Sequence, residues 1–472
     1  MILEVFLVYI FLMILIGLYE YRRTKSISEF YIAGKRLGPL AISFSFFATY
    51  FSTAAFLGGG GTGFILGFQW SAFLIFFHIL FAILAWLIIA PPMKRIADEM
   101  GTLTVPELLG KKFGKEVQII CALVILFFFE FYMVSIYKGA GILLQTMLSI
   151  GYLEALLVTA IVVTIYTAIG GFRAVVTTDI VQGSIMLFGA LLLFFSIFQQ
   201  LGGFGAIEIL RSTKPELFEI GKMGPKPVLD AGMVIPFVLS LTFAISIAQL
   251  SSPQLVIRFI AARNQRVVAY GMIMTPIIVG IFAICVFSIG PLGWLVIPKE
   301  ELTVFLKDTD KVVPYMAMKL LPEGINALLL AAIIAAAMST INSLVHVSAT
   351  ALVRDLIQNL REIEDSKALK LTRISVVVLA LIPIYFAISP PGIIVEIVGV
   401  SFSVITSAFL VPLLVVLYSK EAKKSAVIAS MVVAIATCIV WQMYFYKVYF
   451  IYPVVPGLLA SAITLLALNF KK

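Results

Sequence analysis

The stretch Ala331–Ser343, AAIIAAAMSTINS, decides how the chain is read. Its first part is small and apolar. Ser339, Thr340, Asn342 and Ser343 then fall within five residues, with no charge among them. In lipid, small residues let helices approach closely, and hydroxyls bond across the interface. A pair of hydroxyls on such a helix can also help to coordinate a hard cation through oxygen. For an isolated Ser-Thr pair the packing seam is the simpler reading. The ion reading needs a second half elsewhere in the chain.

The surroundings are those of a membrane protein. The chain has 472 residues, 61% of them hydrophobic and 12% charged, with a mean hydropathy of +1.10. Repeated long apolar runs of this kind define an all-α polytopic membrane protein. About thirteen transmembrane helices are expected, at about 3–21, 39–66, 70–92, 117–149, 152–170, 180–200, 231–257, 267–297, 325–353, 372–388, 392–418, 424–446 and 454–470. The first run, Ile2–Tyr19, has Glu4 at its front and Arg22–Arg23 behind, so it reads as a retained span rather than a cleaved leader. Cys121, Cys285 and Cys438 are scattered through apolar runs, which excludes a disulfide framework or a cysteine metal motif.

The net charge of +9 reflects loops rather than a nucleic-acid surface. With the N-terminus outside, most of the 34 basic residues fall on inner segments, among them Arg22, Arg23, Lys35, Arg36, Lys94, Arg95, Lys111, Lys112, Arg354, Lys420, Lys471 and Lys472. That bias places the N-terminus out and the C-terminus in the cytoplasm, at the cell membrane. No linker or low-complexity tail divides the chain, so a single transmembrane domain is expected over 1–472.

Two spans carry interruptions at corresponding places. The second, SFSFFATYFSTAAFLGGGGTG (43–63), is broken at Gly58–Gly61 or where Thr49, Ser52 and Thr53 compete for the backbone. The seventh is broken at Ser251-Ser252-Pro253. Paired interruptions point to an inverted-repeat transporter with a site at the membrane midplane. Freed carbonyls there bind an ion or line a cavity, and freed N–H groups can hold a substrate carboxylate. The stretch YTAIGGFRAVVTTDIVQG (166–183) breaks at Gly170-Gly171, and Asp179 is then placed at the start of the next helix, where a cap is the bland reading.

These three stretches together resemble the sodium:solute symporter family. The resemblance runs from LEVFLVYI (3–10) through SEFYIAGKRLGP (28–39) to the last span. Within the family, ATYFSTAAFLGG (48–59), YTAIGGFRA (166–174), AAAMSTIN (335–342), SATALVRDL (348–356) and VYFIYPVVPGLL (448–459) look most like the sodium/pantothenate symporters. The resemblance implies a LeuT-type fold with a 5+5 inverted-repeat core: a first repeat over 39–200, a second over 231–418, and peripheral parts at 1–38 and 419–472. It implies sodium as coupling ion and no organic cofactor. Sodium ligands would be backbone oxygens of Ala48, Phe51 and Ala336 with the hydroxyls of Ser339 and Thr340. Asp179, Asn342 and Ser343, with Ser339, match a second sodium site of some members, or an exit for the first ion. Asn342 stands where those members have serine. The substrate would meet Tyr50, Ser52, Thr53, Tyr132, Gln249 and Ser252. Tyr50, Ile245 and Gln249 depart from the pattern of sodium/proline symporters, which have an aspartate and two aromatics there, whereas Pro253 and Arg258 keep the family pattern.

Glu130, Lys138 and Glu396 lie in apolar surroundings and are functional by default. Glu130 and Lys138 are about 80° apart around one helix, so Lys138 is expected to pair with Glu130 or, across the core, with Glu396. A structural pair or a snorkelling lysine is the bland alternative, and a gate or a receptor for a substrate carboxylate the sharp one. His346 reads as an interhelical contact.

The expected function is sodium-coupled import of a small organic solute, such as the carboxylate pantothenate, by alternating access. No protein partner or nucleic acid is expected, only solute, sodium and bilayer. Rival readings are a symporter of proline, another amino acid, a monocarboxylate or a sugar; a proton-coupled carrier; a non-transporting sensor; and a membrane enzyme. Two histidines and three isolated cysteines offer an enzyme little.

Overall fold

The computed structural model describes residues 1–223, 231–419 and 421–469. Lys420, Lys471 and Lys472 therefore lie outside the described residues, as does part of the 201–230 loop. Among the described residues the chain is helical, with ten helices long and apolar enough to cross a membrane. Two of them are too long for one crossing. Ala54–Glu99 has 46 residues and Tyr152–Gln200 has 49, each on the order of 70 Å against a hydrocarbon core of roughly 30 Å. Each is divided by one glycine with a positive φ, Gly67 (φ 70°) and Gly171 (φ 60°). Counting each as two passes and adding the shorter Val454–Asn469 gives the thirteen expected. Pro39–Tyr50 is the first half of the second span.

Three expectations about local structure need correction or sharpening. The second span breaks not at its glycines but at the other place expected, among Thr49, Ser52 and Thr53. The helix Pro39–Tyr50 ends where Phe51 turns extended (φ −91°, ψ 108°), and the chain is helical again from Ala54. The Ser52 hydroxyl accepts the Ala54 N–H at 3.1 Å and caps the new start. The glycines serve packing instead: a Cβ on Gly59 would run into Phe287, and one on Gly61 into the Thr309 carbonyl. Asp179 does not begin a helix, because Gly171 alone makes the turn and the helix resumes at once, leaving Asp179 in its interior. The seventh span breaks where expected. Ser251 and Ser252 leave the helical region, and Pro253 opens the helix Pro253–Ala261, where its missing N–H is harmless.

The ninth span, Glu323–Leu360, is the axis of the bundle. Of its most apolar window 94% is buried, against 22% for the first span Ile2–Tyr21. Its alanines do what small residues allow. Ala332 sits so close to Gly189 of the sixth span that a Cβ there would overlap it. Gly183, one and a half turns earlier, lies against Phe44 and Ala48 of the second span.

Gly171 is the test of this architecture. Alanine there takes up a strained φ and drives its Cβ into the Phe30 ring. Gly171→Ala is expected to destabilise the protein by about 2 kcal/mol. Gly232→Ala, which meets nothing within 4 Å, is expected to leave the melting temperature in detergent unchanged. Equal melting temperatures for both variants would refute the role given to Gly171.

Candidate functional site

The second span stops in mid-membrane, so the carbonyls of its last helical turn lose their intrahelical donors. The ninth span answers them. The Ser339 hydroxyl donates to the Ala48 carbonyl at 2.8 Å, and the Thr340 hydroxyl donates to the Thr49 carbonyl at 3.1 Å. Both hydroxyls also reach the Ala336 carbonyl, at 3.2 and 3.1 Å. All these residues are fully buried. Ala48, Ala336, Ser339 and Thr340 are thus brought together as one cluster of oxygens. Thr49 joins them, and was not foreseen in that place. Phe51 follows directly, its ring packed on Phe47, Phe282 and His78.

Next to this cluster lies a buried polar knot. Arg258 and Asp179, each with no exposed side-chain surface, pair at 3.1 Å. The guanidinium also donates to Ser45 (3.0 Å), Thr49 (2.7 Å), Ser343 (2.6 Å) and the Gln254 carbonyl. Ser45 donates to the same Asp179 oxygen at 2.6 Å, and Asn342 reaches the other oxygen at 3.4 Å. Asp179, Asn342 and Ser343 are therefore assembled, as the resemblance implied, but around a resident cation. Arg258 had been noted only as fitting a pattern. His346 meets the Tyr31 carbonyl at 3.3 Å between the Phe30 and Phe172 rings, which is an interhelical contact.

A small cavity of about 30 Å³ lies at the break of the second span. Tyr50, Ser52 and Tyr132 line it, with Phe51, His78, Ile245, Phe287 and Phe402. No lysine, arginine, aspartate or glutamate is among its lining. Three other predicted substrate residues are not brought to it. Thr53 donates to the Ile136 carbonyl at 3.3 Å and packs on Gly139. Gln249 donates to the carbonyls of His78 and Ser246, at 3.1 and 3.2 Å. Ser252 is buried in the seventh-span break with its hydroxyl unpartnered among the described residues. His78 was missed altogether. The signal for it was a lone histidine in the apolar run FLIFFHILF (73–81), where no motif surrounds it.

The isolated charges resolve differently from the expectation. Lys138 pairs with neither Glu130 nor Glu396. Its ammonium lies 2.6 Å from Asp310, 3.7 Å from Asp308 and 3.1 Å from the Gly392 carbonyl. Asp310 also accepts the Ile394 N–H at 3.0 Å, capping the eleventh span, Ile394–Tyr418. A loop carboxylate before the ninth span is thereby tied to the fourth and eleventh spans. Lys138 and Glu396 line a separate, larger cavity of about 680 Å³ together with Asp308 and Thr309, so Lys138 does not face the cavity at the break. Glu130 has no hydrogen-bond partner among the described residues.

The family model "Sodium:solute symporter family" matches residues 30–434. A sodium/pantothenate symporter of Haemophilus influenzae is 28% identical, covering 95% of this chain and 91% of its own length. The high-affinity proline transporter PutP of Bacillus subtilis is also 28% identical, covering 96% and 94%. A solved structure of a Na+-coupled sialic acid symporter, described as substrate-bound and outward-open, superposes with a TM-score of 0.81 at 20% identity, over 98% of this chain and 96% of that one. The fold is thus that of the LeuT-type transporters. The chain belongs to the sodium:solute symporter family, a multi-pass membrane carrier and not an enzyme.

Burial raises the Asp310 carboxyl above its usual range, and Lys138 opposes that rise. Lys138→Met removes the opposition and leaves a buried, unpaired carboxylate, a change worth about 3 kcal/mol of destabilisation at neutral pH. A carboxyl with a raised folded pKa binds its proton more readily folded than unfolded, so the loss should shrink as pH falls through that raised value toward the ordinary carboxylate range. Adding Asp310→Asn should recover much of the stability. A double-mutant cycle with no coupling would rule out the pair.

Proposed function

We propose that the chain imports a small organic solute together with sodium, and that the solute is a carboxylate such as pantothenate. The observation that carries the sodium half is the meeting of Ser339 and Thr340 with the carbonyls of Ala48, Thr49 and Ala336 at the broken helix. Sodium would bind there, with Phe51 adding its carbonyl, and take the place of hydrogen bonds between hydroxyl and carbonyl. Solute would bind in the cavity beside the break, against Tyr50, Ser52 and Tyr132. Its carboxylate would meet the N–H groups at the start of the resumed helix. The two repeats over 39–200 and 231–418 would rock around this site, in the cell membrane with the N-terminus outside and the C-terminus in the cytoplasm.

Asp179, Asn342 and Ser343 would serve ion exit rather than hold a second sodium. Arg258 already occupies their centre, and a second cation would be placed against a guanidinium. One sodium per solute follows. With a monocarboxylate no net charge then crosses, and uptake should not respond to membrane potential. With a neutral or zwitterionic solute one charge crosses, and each 100 mV of inside-negative potential adds about 2.3 kcal/mol of driving force.

Uptake into proteoliposomes tests this directly, with labelled pantothenate, proline, lactate, glucose and sialic acid. Sodium-driven, potential-independent uptake of a carboxylate with no response to a pH gradient is expected. Uptake of proline that accelerates with potential would overturn the substrate, and proton-driven uptake would overturn the coupling ion. Ser339→Ala with Thr340→Ala should raise the sodium concentration for half-maximal uptake at least about tenfold, the loss of two oxygen ligands being worth more than about 1.4 kcal/mol. An unchanged sodium dependence would displace the proposed site.

A further inference from the structure

His78 stands in the wall of the cavity at the break with no part in the reading above. Its ring is fixed on three sides. It stacks on Phe51 (centroids 5.4 Å apart, planes at 8°), and it touches Tyr50 at 5.3 Å and Phe287 at 5.1 Å. Its Nδ1 lies 2.7 Å from the Leu74 carbonyl, one turn back on the same helix. A carbonyl can only accept, so the tautomer that satisfies Leu74 carries the hydrogen on Nδ1, and in that tautomer Ser246, 3.0 Å away, accepts a share of it. In the neutral ring that leaves Nε2 as a bare lone pair. Among the described residues no group bonds Nε2.

A fixed lone pair on the wall of an apolar, uncharged cavity is an acceptor waiting for a donor. The other polar groups there are already committed or amphoteric. The Tyr50 hydroxyl donates to the Ile245 carbonyl at 3.2 Å, and Ser52 accepts from Ala54. A hydroxyl can turn to suit either a donor or an acceptor. Nε2 in the tautomer that satisfies Leu74 cannot, since it offers only a lone pair.

We propose that His78 is a specificity-determining residue of the cavity: its Nε2 accepts a hydrogen bond from a hydroxyl or N–H of the transported solute, and so selects solutes that carry such a donor. This rests on the reading of the cavity as the solute site. It narrows the solute to an apolar body with a donor at the end facing the third span. A solute of the same size with a methyl in place of the donor leaves a buried acceptor unpaired, and should bind about tenfold or more weakly. A second carboxylate at that end would be rejected, since two acceptors would face each other.

Two measurements test the proposal. The first uses protein labelled with 15N-histidine. There are two histidines, so the His78 signals are assigned by difference from His78→Phe. A proton on Nδ1 and none on Nε2 is expected; a proton on Nε2 would overturn the inference whether or not any solute is known. The second measures binding, in sodium, of matched pairs: serine and alanine, lactate and propionate, 2-hydroxyisovalerate and isovalerate, with pantothenate as the larger donor-bearing probe. The hydroxylated member should bind more tightly. His78→Phe should abolish that preference, and His78→Gln, which still offers a carbonyl oxygen, should keep it. A preference that survives His78→Phe would overturn the proposal. If sodium alters binding of none of the solutes, the symport reading fails, while the tautomer still decides His78.

Discussion

The constraint on which the structure turns is a helix that ends inside a membrane. Backbone carbonyls cannot be left bare in hydrocarbon, where no water replaces the lost donors. The second span ends at Tyr50, and its last carbonyls are taken by Ser339 and Thr340 from the ninth span. Those hydroxyls reach them because the ninth span is buried throughout and its alanines let neighbouring helices close in. Packing seam and polar cluster are therefore one feature. The exchange of hydroxyl donors for a cation would be local and reversible, because the oxygens are already gathered and only hydrogens need to turn away.

The same break is bound to the buried charges. Thr49 belongs to two networks: its carbonyl accepts from Thr340, and its hydroxyl accepts from Arg258 at 2.7 Å and meets Ser343 at 2.8 Å. A guanidinium within a membrane bundle is expensive unless every direction is paired. Arg258 meets this need with Asp179, Ser45, Thr49, Ser343 and the Phe172 ring, which come from the second, fifth-to-sixth and ninth helices. Toward the other end of the same broken span, the loop residue Thr309 presses on Gly61 and its neighbour Asp310 is clasped by Lys138. A shift of the break would be felt at both places.

Much of this was legible in the sequence where a residue type forces the backbone. Pro253 after two serines cannot continue a helix, and the seventh span breaks there. The thirteen passes were legible through apolar length, whereas the meeting of Ser339 with Ala48 came only from the family resemblance. Of the two places offered for the second break, Gly58–Gly61 was the wrong one, chosen because glycines look like helix breakers. Those glycines instead admit Phe287 and Thr309, and the break falls at Phe51 and Ser52, where the competing hydroxyls of Thr49, Ser52 and Thr53 were the signal. Asp179 was misplaced because a double glycine suggested a longer loop than the single turn that Gly171 makes. The partner of Lys138 was out of reach: Asp310 is 172 residues away, in a loop whose path only the fold supplies. His78 was invisible for a similar reason, since nothing adjacent to it in sequence announces the cavity it lines.

The lining of that cavity bears on coupling. With no charged side chain along it, a carboxylate there would have only helix-terminal N–H groups and hydroxyls as partners. Those are partial charges, and they balance a full charge poorly in a low-dielectric site. The missing positive charge would be the sodium ion itself, a short distance away across Phe51. Coupling then needs no mechanical relay. Solute without sodium would be a buried anion lacking its counter-charge, and sodium without solute would be a buried cation facing an empty apolar cavity. Each makes the other's desolvation tolerable, and the linkage is reciprocal by necessity. A lysine or arginine in the cavity wall would weaken that dependence by supplying the charge permanently. Both such cations near the broken span, Arg258 and Lys138, are instead neutralised by their own aspartates.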